Sequence, residues 1–216
     1  MPGRIRSERK IFLLIYISRF NYDDLKRGER KKFETANGRY LLREAVRREF
    51  GVDSGLFTIE KGEHGKPFFA ERDDIFFNIS HSGELVAVGV GKCPVGVDVQ
   101  VVRRVKDSLI NKLCNYNEKE FILESTDKDR AFITLWALKE SYIKAIGLGM
   151  SYPMSEINFD IRNFYGEAEG EFSNRSGRYY VKDYGDFVLA ACALGEFDFN
   201  VEENINVYTS EFCRNV

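Results

Sequence analysis

Trp136-Ala137-Leu138-Lys139-Glu140-Ser141-Tyr142-Ile143-Lys144 sets an acid and a lysine one helical turn apart on a single face of a helix. A carboxylate and an ammonium so placed can hold a divalent cation and a phosphate side by side. Taken alone, the Glu140-to-Lys144 order is also that of an ordinary helix ion pair worth about 0.2 to 0.5 kcal/mol. It gains force only if a second carboxylate meets it. Phe132, Leu135, Trp136 and Ile143 supply the core face of this helix, and packing accounts for Trp136. Upstream, Phe77-Asn78-Ile79-Ser80-His81-Ser82-Gly83 and Gly96-Val97-Asp98-Val99-Gln100 add a hydroxyl, an imidazole and a second carboxylate to strand-like apolar runs. Together the stretches read as a site for metal-assisted phosphoryl chemistry.

In Val95 to Val101 the valines alternate with Gly96, Asp98 and Gln100, which on a strand sends the valines to one face and Asp98 and Gln100 to the other. Any half-buried strand shows such alternation, so the meeting with Glu140 is what lends it meaning. Ser80 and His81 end the strand Ile75 to Ile79, where side chains leave a sheet and binding residues tend to sit. An imidazole there can donate to a phosphate. A Ser-His-Asp acyl-transfer site is disfavoured, because no Gly-x-Ser-x-Gly elbow exists and Ser80 adjoins His81. Gly65-Lys66-Pro67 lacks the Walker glycine spacing and by itself is a turn. The basic run from Lys26 to Arg48 is either a solvated helix face or a clamp for an anionic nucleotide.

A length of 216 residues suits one α/β domain or two small lobes. Net charge is only −2, which argues against general binding to nucleic acid or to an anionic membrane, since both need a broad positive field. Cys93, Cys114, Cys192 and Cys213 lie far apart with no Cys-x-x-Cys pair and read as reduced thiols. The early apolar run Ile11 to Ile17 is too short to span a membrane and is followed by no small-residue cleavage site. A cytoplasmic protein is the expectation.

Ile11 to Ile17 predicts a buried strand, and Tyr22 to Phe50 predicts helix, with Asn37-Gly38 a break and Gly51 the C-terminal cap. Short strands follow at Phe57 to Ile59, Phe68-Phe69, Ile75 to Ile79, Leu85 to Val90 and Val95 to Val101. From Val105 the periodicity is helical through Ile146, after which strands return at Ile157 to Ile161, Gly170 to Phe172, Tyr179 to Val181 and Phe187 to Leu194. The expected fold class is α+β: two pseudo-symmetric α/β lobes, residues 1–104 and 105–216, packed over a shared cleft.

The set Gly65-Lys66-Pro67, Phe77 to Gly83, Gly96 to Gln100 and Trp136 to Lys144 resembles, in order and spacing, the surfactin-synthetase-activating (Sfp-type) class of 4′-phosphopantetheinyl transferases. The resemblance implies transfer of the phosphopantetheine arm of coenzyme A to a serine of an apo acyl or peptidyl carrier protein, releasing 3′,5′-ADP. It implies Mg²⁺, with Mn²⁺ as a substitute, held by Asp98 and Glu140 and contacted by Gln100, where many family members carry a second acid. It further implies that Lys144 and His81 grip the pyrophosphate, that Ser80 hydrogen-bonds it, and that Lys66 and Pro67 lie along the nucleotide. Lys31 and Arg39, with Lys32, would meet the 3′-phosphate, and Lys139 would add positive charge. Glu140 and a metal-bound water are both candidates for general base. Docking of the carrier is expected from Leu113 to Phe121 and after Gly149, and two lobes in one chain make a monomer sufficient. A catalytically silent carrier-binding module of the same fold is the alternative.

Overall fold

Continuous apolar runs, buried on both faces of the central strands, force this chain into layers. In the computed structural model, which describes residues 12–21, 26–149, 152–163, 169–174, 177–195 and 198–208, ten strands and four α-helices follow one another. They are β1 (Phe12–Phe20), α1 (Arg27–Phe50), β2 (Ile59–Lys61), β3 (Pro67–Phe69), β4 (Phe76–Ser82), β5 (Leu85–Gly91) and β6 (Val95–Val101). Next come α2 (Asp107–Leu113), α3 (Tyr116–Glu124), α4 (Lys128–Ile146), β7 (Glu169–Asn174), β8 (Gly177–Asp183), β9 (Phe187–Ala193) and β10 (Asp198–Tyr208). Ile11, Tyr22, Leu25 and Cys213 lie outside the described residues.

One sheet has the order β10-β1-β5-β4 and another the order β6-β9-β8-β7, with β2 and β3 forming a separate ribbon. Leu13, Ile15, Ile17, Leu85 and Ala87 of the first sheet pack on Val95, Val97, Val99, Leu189 and Ala191 of the second. The opposite faces bury Leu14, Tyr16, Val86 and Val88 under Leu41, Leu42, Ala45 and Val46 of α1. On the far side Val188, Ala190 and Cys192 lie under Phe132, Leu135, Leu138 and Ile143 of α4. The result is four layers, helix, sheet, sheet and helix, with the two sheets back to back.

The halves share a plan. In each a strand and a helix lead to a hairpin whose last strand runs antiparallel beside the first: β1 with β5 and β4, β6 with β9 and β8. Strand pairing crosses residue 104 in both directions, since β6 belongs to the later sheet and β10 returns to lie parallel to β1.

Three local expectations change. The helix does not break at Asn37-Gly38; α1 is continuous, and a Cβ on Gly38 would come within 2.9 Å of Ile79 Cγ2. The glycine serves close approach of α1 to β4. Ile157 to Ile161 forms no strand, although Ile157, Phe159 and Ile161 are buried as alternation requires. The Phe159 N–H donates to a side chain, Glu118 Oε1, at 3.1 Å instead of to a neighbouring strand. β10, which sequence patterning had not indicated, adds to the first sheet. The cap at Gly51 is found as expected.

A second glycine governs how β6 meets α4. A Cβ on Gly96 would fall 1.9 Å from the Ser141 carbonyl oxygen and 2.5 Å from the Ala145 nitrogen, so the two backbones touch with nothing between them. Backbone atoms cannot step aside as side chains do. Gly96→Ala is therefore expected to cost about 3 kcal/mol or more in urea-induced unfolding, the upper range for overpacking. A loss below about 1 kcal/mol would contradict this contact.

Candidate active site between β4, β6 and α4

The open edge of β6 presents the N–H groups of Val97, Val99 and Val101. Alternate side chains of β4 accept them: Asn78 Oδ1 from Val97 at 2.9 Å, Ser80 Oγ from Val99 at 3.3 Å and Ser82 Oγ from Val101 at 3.1 Å. Gly96, Asp98 and Gln100 consequently face α4, which carries Glu140 and Lys144 on the side nearest Gly96.

The Asp98 carboxylate is 1% exposed and accepts three hydrogen bonds. Ser80 Oγ donates to it at 2.8 Å, Gln100 Nε2 at 2.8 Å, and Lys144 Nζ pairs with its Oδ1. Lys144 Nζ also donates to Ser80 Oγ at 3.0 Å. The serine hydroxyl thus spends its one proton on Asp98 and both lone pairs on Val99 and Lys144, leaving no donor for an anion in this state. Gln100 turns its amide nitrogen, not its carbonyl, toward Asp98.

Glu140 is the unbalanced member. It is 8% exposed, and among the described residues its carboxylate accepts no hydrogen bond and forms no ion pair within contact distance. Burial pushes its pKa above the usual carboxylate range, the negative charge of Asp98 adds to the rise, and Lys144 opposes it. Two buried carboxylates near enough to couple electrostatically, with one lysine paired to Asp98, make an oxygen-rich seat short of positive charge. That donor set fits a hard divalent cation such as Mg²⁺, which takes one or two carboxylates and fills its remaining positions with water and phosphate oxygens. Among the described residues no cluster of three His, Cys, Asp or Glu exists to form an all-protein cage.

His81 extends beyond Ser80 on the other face of β4, with its Nε2 over Gly38 of α1. Burial on that side and the Lys144 charge lower its pKa, against an opposing effect of Glu34. Arg39 and Lys32 line a cleft of about 510 Å³ along α1, closed by Ser54, Phe57 and Ile59. Lys31 is exposed on the same helix but does not line that cleft. Lys66 and Pro67 border a separate, apolar hollow of about 530 Å³ with Phe69, Phe77 and Ile146. The Lys66 ammonium is not turned to an open face: it donates to Ala145 O at 2.7 Å and Val95 O at 3.1 Å, and burial lowers its pKa to about 8.

Lys139 is a correction. Instead of lining the cleft, its ammonium is buried on the opposite side of α4, bonded to Glu118 Oε2 at 2.6 Å, Leu113 O at 3.0 Å and Met154 O at 3.0 Å. Adjacent helix positions diverge by roughly 100°, so Glu140 and Lys139 cannot share one site. Glu118, overlooked in the sequence, is the hub that receives Lys139, the Asn115 N–H and the Phe159 N–H. Its only sequence signal was the capping pair Asn115-x-x-Glu118 at the start of α3. Cys93 and Cys114 are buried thiols pushed up to about 11 and about 12, which removes them as nucleophiles.

Residues 94–192 match the 4′-phosphopantetheinyl transferase superfamily, and residues 16–92 match the N-terminal part of 4′-phosphopantetheinyl transferases. The two matches divide just before β6, where the second sheet begins. The chain belongs to this superfamily, whose enzymes transfer 4′-phosphopantetheine to carrier proteins, and it is of the Sfp type. It is 28% identical to the 4′-phosphopantetheinyl transferase Sfp of Bacillus subtilis over 165 residues, covering 74% of this chain and 73% of that one. Against the transferase gsp of Aneurinibacillus migulanus, identity is 33% over 57% of this chain and 52% of the relative. The L-aminoadipate-semialdehyde dehydrogenase-phosphopantetheinyl transferase of Xenopus laevis is 31% identical over 57% of this chain and 46% of its own.

Because Glu140 carries a buried charge with no hydrogen bond, Glu140→Gln is expected to stabilise the metal-free protein near neutral pH. A carboxyl whose folded pKa is raised contributes stability below its unfolded pKa and loses it as pH climbs through the folded value. The wild type should therefore lose stability relative to the variant from about pH 4.5 upward. Thermal melts across pH 4 to 8 check this, and a gap that narrows with rising pH would refute it. Lys139→Met, by contrast, strands buried Glu118 and should cost about 3 kcal/mol in chemical unfolding.

Proposed function

We propose that this chain transfers the phosphopantetheine arm of coenzyme A to a serine hydroxyl of an apo acyl or peptidyl carrier protein, using Mg²⁺ or Mn²⁺ and releasing 3′,5′-ADP. The observation that supports it most is the meeting of buried Asp98 with Glu140, a carboxylate without a hydrogen bond, beside Lys144. In this reading those two acids hold the cation, which offsets the negative charge of the pyrophosphate when bound. Gln100 joins them only with its amide turned, since its nitrogen now faces Asp98.

Lys144 has a side chain 26% exposed, enough to leave Asp98 and meet a phosphate oxygen. His81 then donates a hydrogen bond to the same group from a ring nitrogen. Arg39 and Lys32 suit the 3′-phosphate because their cleft opens along α1, the helix over which His81 lies. Lys31 would approach from the exposed flank. Lys66 contributes by clasping the start of β6 to the end of α4, with Pro67 and the apolar hollow beside it open to the nucleotide base. Ser80 holds Asp98 and Lys144 in register.

Transfer forms a bond from the carrier serine oxygen to the phosphorus that bears the pantetheine arm, and breaks the bond to the oxygen that departs with 3′,5′-ADP. The serine proton passes to Glu140 or to a water in the site.

Intact-mass spectrometry of an apo carrier protein incubated with coenzyme A, Mg²⁺ and this protein tests the proposal. The carrier should gain one phosphopantetheine with the wild type and not with Glu140→Gln; an unmodified carrier would favour a silent binding module. Gln100→Glu supplies a third acid and should lower the Mg²⁺ concentration for half-maximal activity, by about tenfold for one added charged ligand. No decrease in that titration would remove position 100 from the cation's surroundings.

A further inference from the structure

Besides the packing of their faces, the two sheets are joined where β4 passes β6, by hydrogen bonds from backbone N–H groups of β6 to side chains of β4. β1 has β10 on its outer side, whereas the corresponding strand β6 has no partner strand there among the described residues. Asn78, Ser80 and Ser82 stand in for one, each accepting a backbone N–H of β6 at the spacing of a strand ladder. Asn78 is 5% exposed and receives the N–H next to Asp98. The intervening residues of β4, Phe77 and Ile79, pack under α1, so one strand is held by the helix with the basic cleft and holds the strand with the buried acid.

We propose that Asn78 and Ser82 are positioning residues for the transfer reaction. They hold β6 in register so that Asp98 stands opposite Glu140 and Lys144, while touching neither cation nor substrate. Their kinetic consequence rests on the transferase reading; their structural consequence does not. Removing Asn78 Oδ1 leaves the Val97 N–H buried without an acceptor and frees the strand segment that carries Asp98. Damage should thus appear at the cation and in turnover, and not in coenzyme A binding along α1.

The test compares Asn78→Ala with Asn78→Ser, which returns a hydroxyl in the position where Ser80 and Ser82 already do this work. Asn78→Ala should lower kcat about tenfold, the usual cost of one orphaned buried donor, and raise the Mg²⁺ needed for half-maximal activity. KM for coenzyme A should stay within about twofold, and Asn78→Ser should recover most of the loss. A drop in thermal stability with kcat and the Mg²⁺ titration unchanged, measured well below the melting temperature, would overturn the proposal. So would an equal loss in both variants. If Asn78→Ala does not fold, Ser82→Ala interrupts the same row at its solvent end and must raise the Mg²⁺ requirement with KM unchanged.

A carrier-free readout separates this proposal from the transferase reading. The Val97 amide should exchange with solvent at least about tenfold faster in Asn78→Ala than in wild type, and Mg²⁺ should raise the melting temperature less. Unchanged exchange and an unchanged Mg²⁺-induced shift overturn the positioning role even if wild type modifies carriers. A wild type that modifies none overturns only the transferase reading.

Discussion

The contact on which the site depends is between backbones: β6 lies against α4 at Gly96, with the Ser141 carbonyl and the Ala145 nitrogen where a side chain would otherwise stand. Two residues along, on the same face of the strand, Asp98 is thereby pressed toward the helix. Lys144 precedes Ala145 and Glu140 precedes Ser141, so Lys144 pairs with Asp98 and Glu140 stands near enough to feel its charge. A larger residue at 96 would push strand and helix apart and dissolve the pairing. The row of Asn78, Ser80 and Ser82 fixes the other coordinate, position along the strand.

Two neighbouring residues of α4 show how differently buried charge is handled. Lys139 and Glu118 are each 1% exposed and fully engaged, by one another and by backbone groups of three segments. Such a pair orders its surroundings and has nothing left for a ligand. Glu140, one step around the helix, is buried with no hydrogen bond among the described residues and feels the charge of a second acid. Unmet charge of that kind is costly to an empty protein and useful to one that binds a cation.

Several misjudged elements share a cause. Asn37-Gly38 looks like a helix break because glycine is a poor helix former, yet α1 keeps it so that Ile79 can approach. Ile157 to Ile161 has the alternation of a strand and the burial to match, but its Phe159 N–H finds Glu118, distant in sequence, before any strand. β10 carries Phe199, Val201 and Val207 at alternate positions, but Glu203 interrupts the apolar alternation and its partner, β1, lies at the other end of the chain. Lys139 and Glu140 are adjacent in the sequence and point to different faces of α4.

Local periodicity was enough to place Asp98 and Gln100 on one face of a strand, Glu140 and Lys144 on one face of a helix, and the cap at Gly51. These are properties of three or four neighbouring residues, and neighbours in sequence obey the geometry of helix and strand whatever surrounds them. Motif order also conveyed the family. Only the folded chain decided that the charge of Asp98 acts on Glu140, that Ser80 donates a hydrogen bond to Asp98, that Lys66 clasps two carbonyls, and that Lys139 belongs to the core. Each of those outcomes depends on which distant groups arrive first to satisfy a buried donor, acceptor or charge, and that competition is settled by packing between layers that no single stretch of sequence contains.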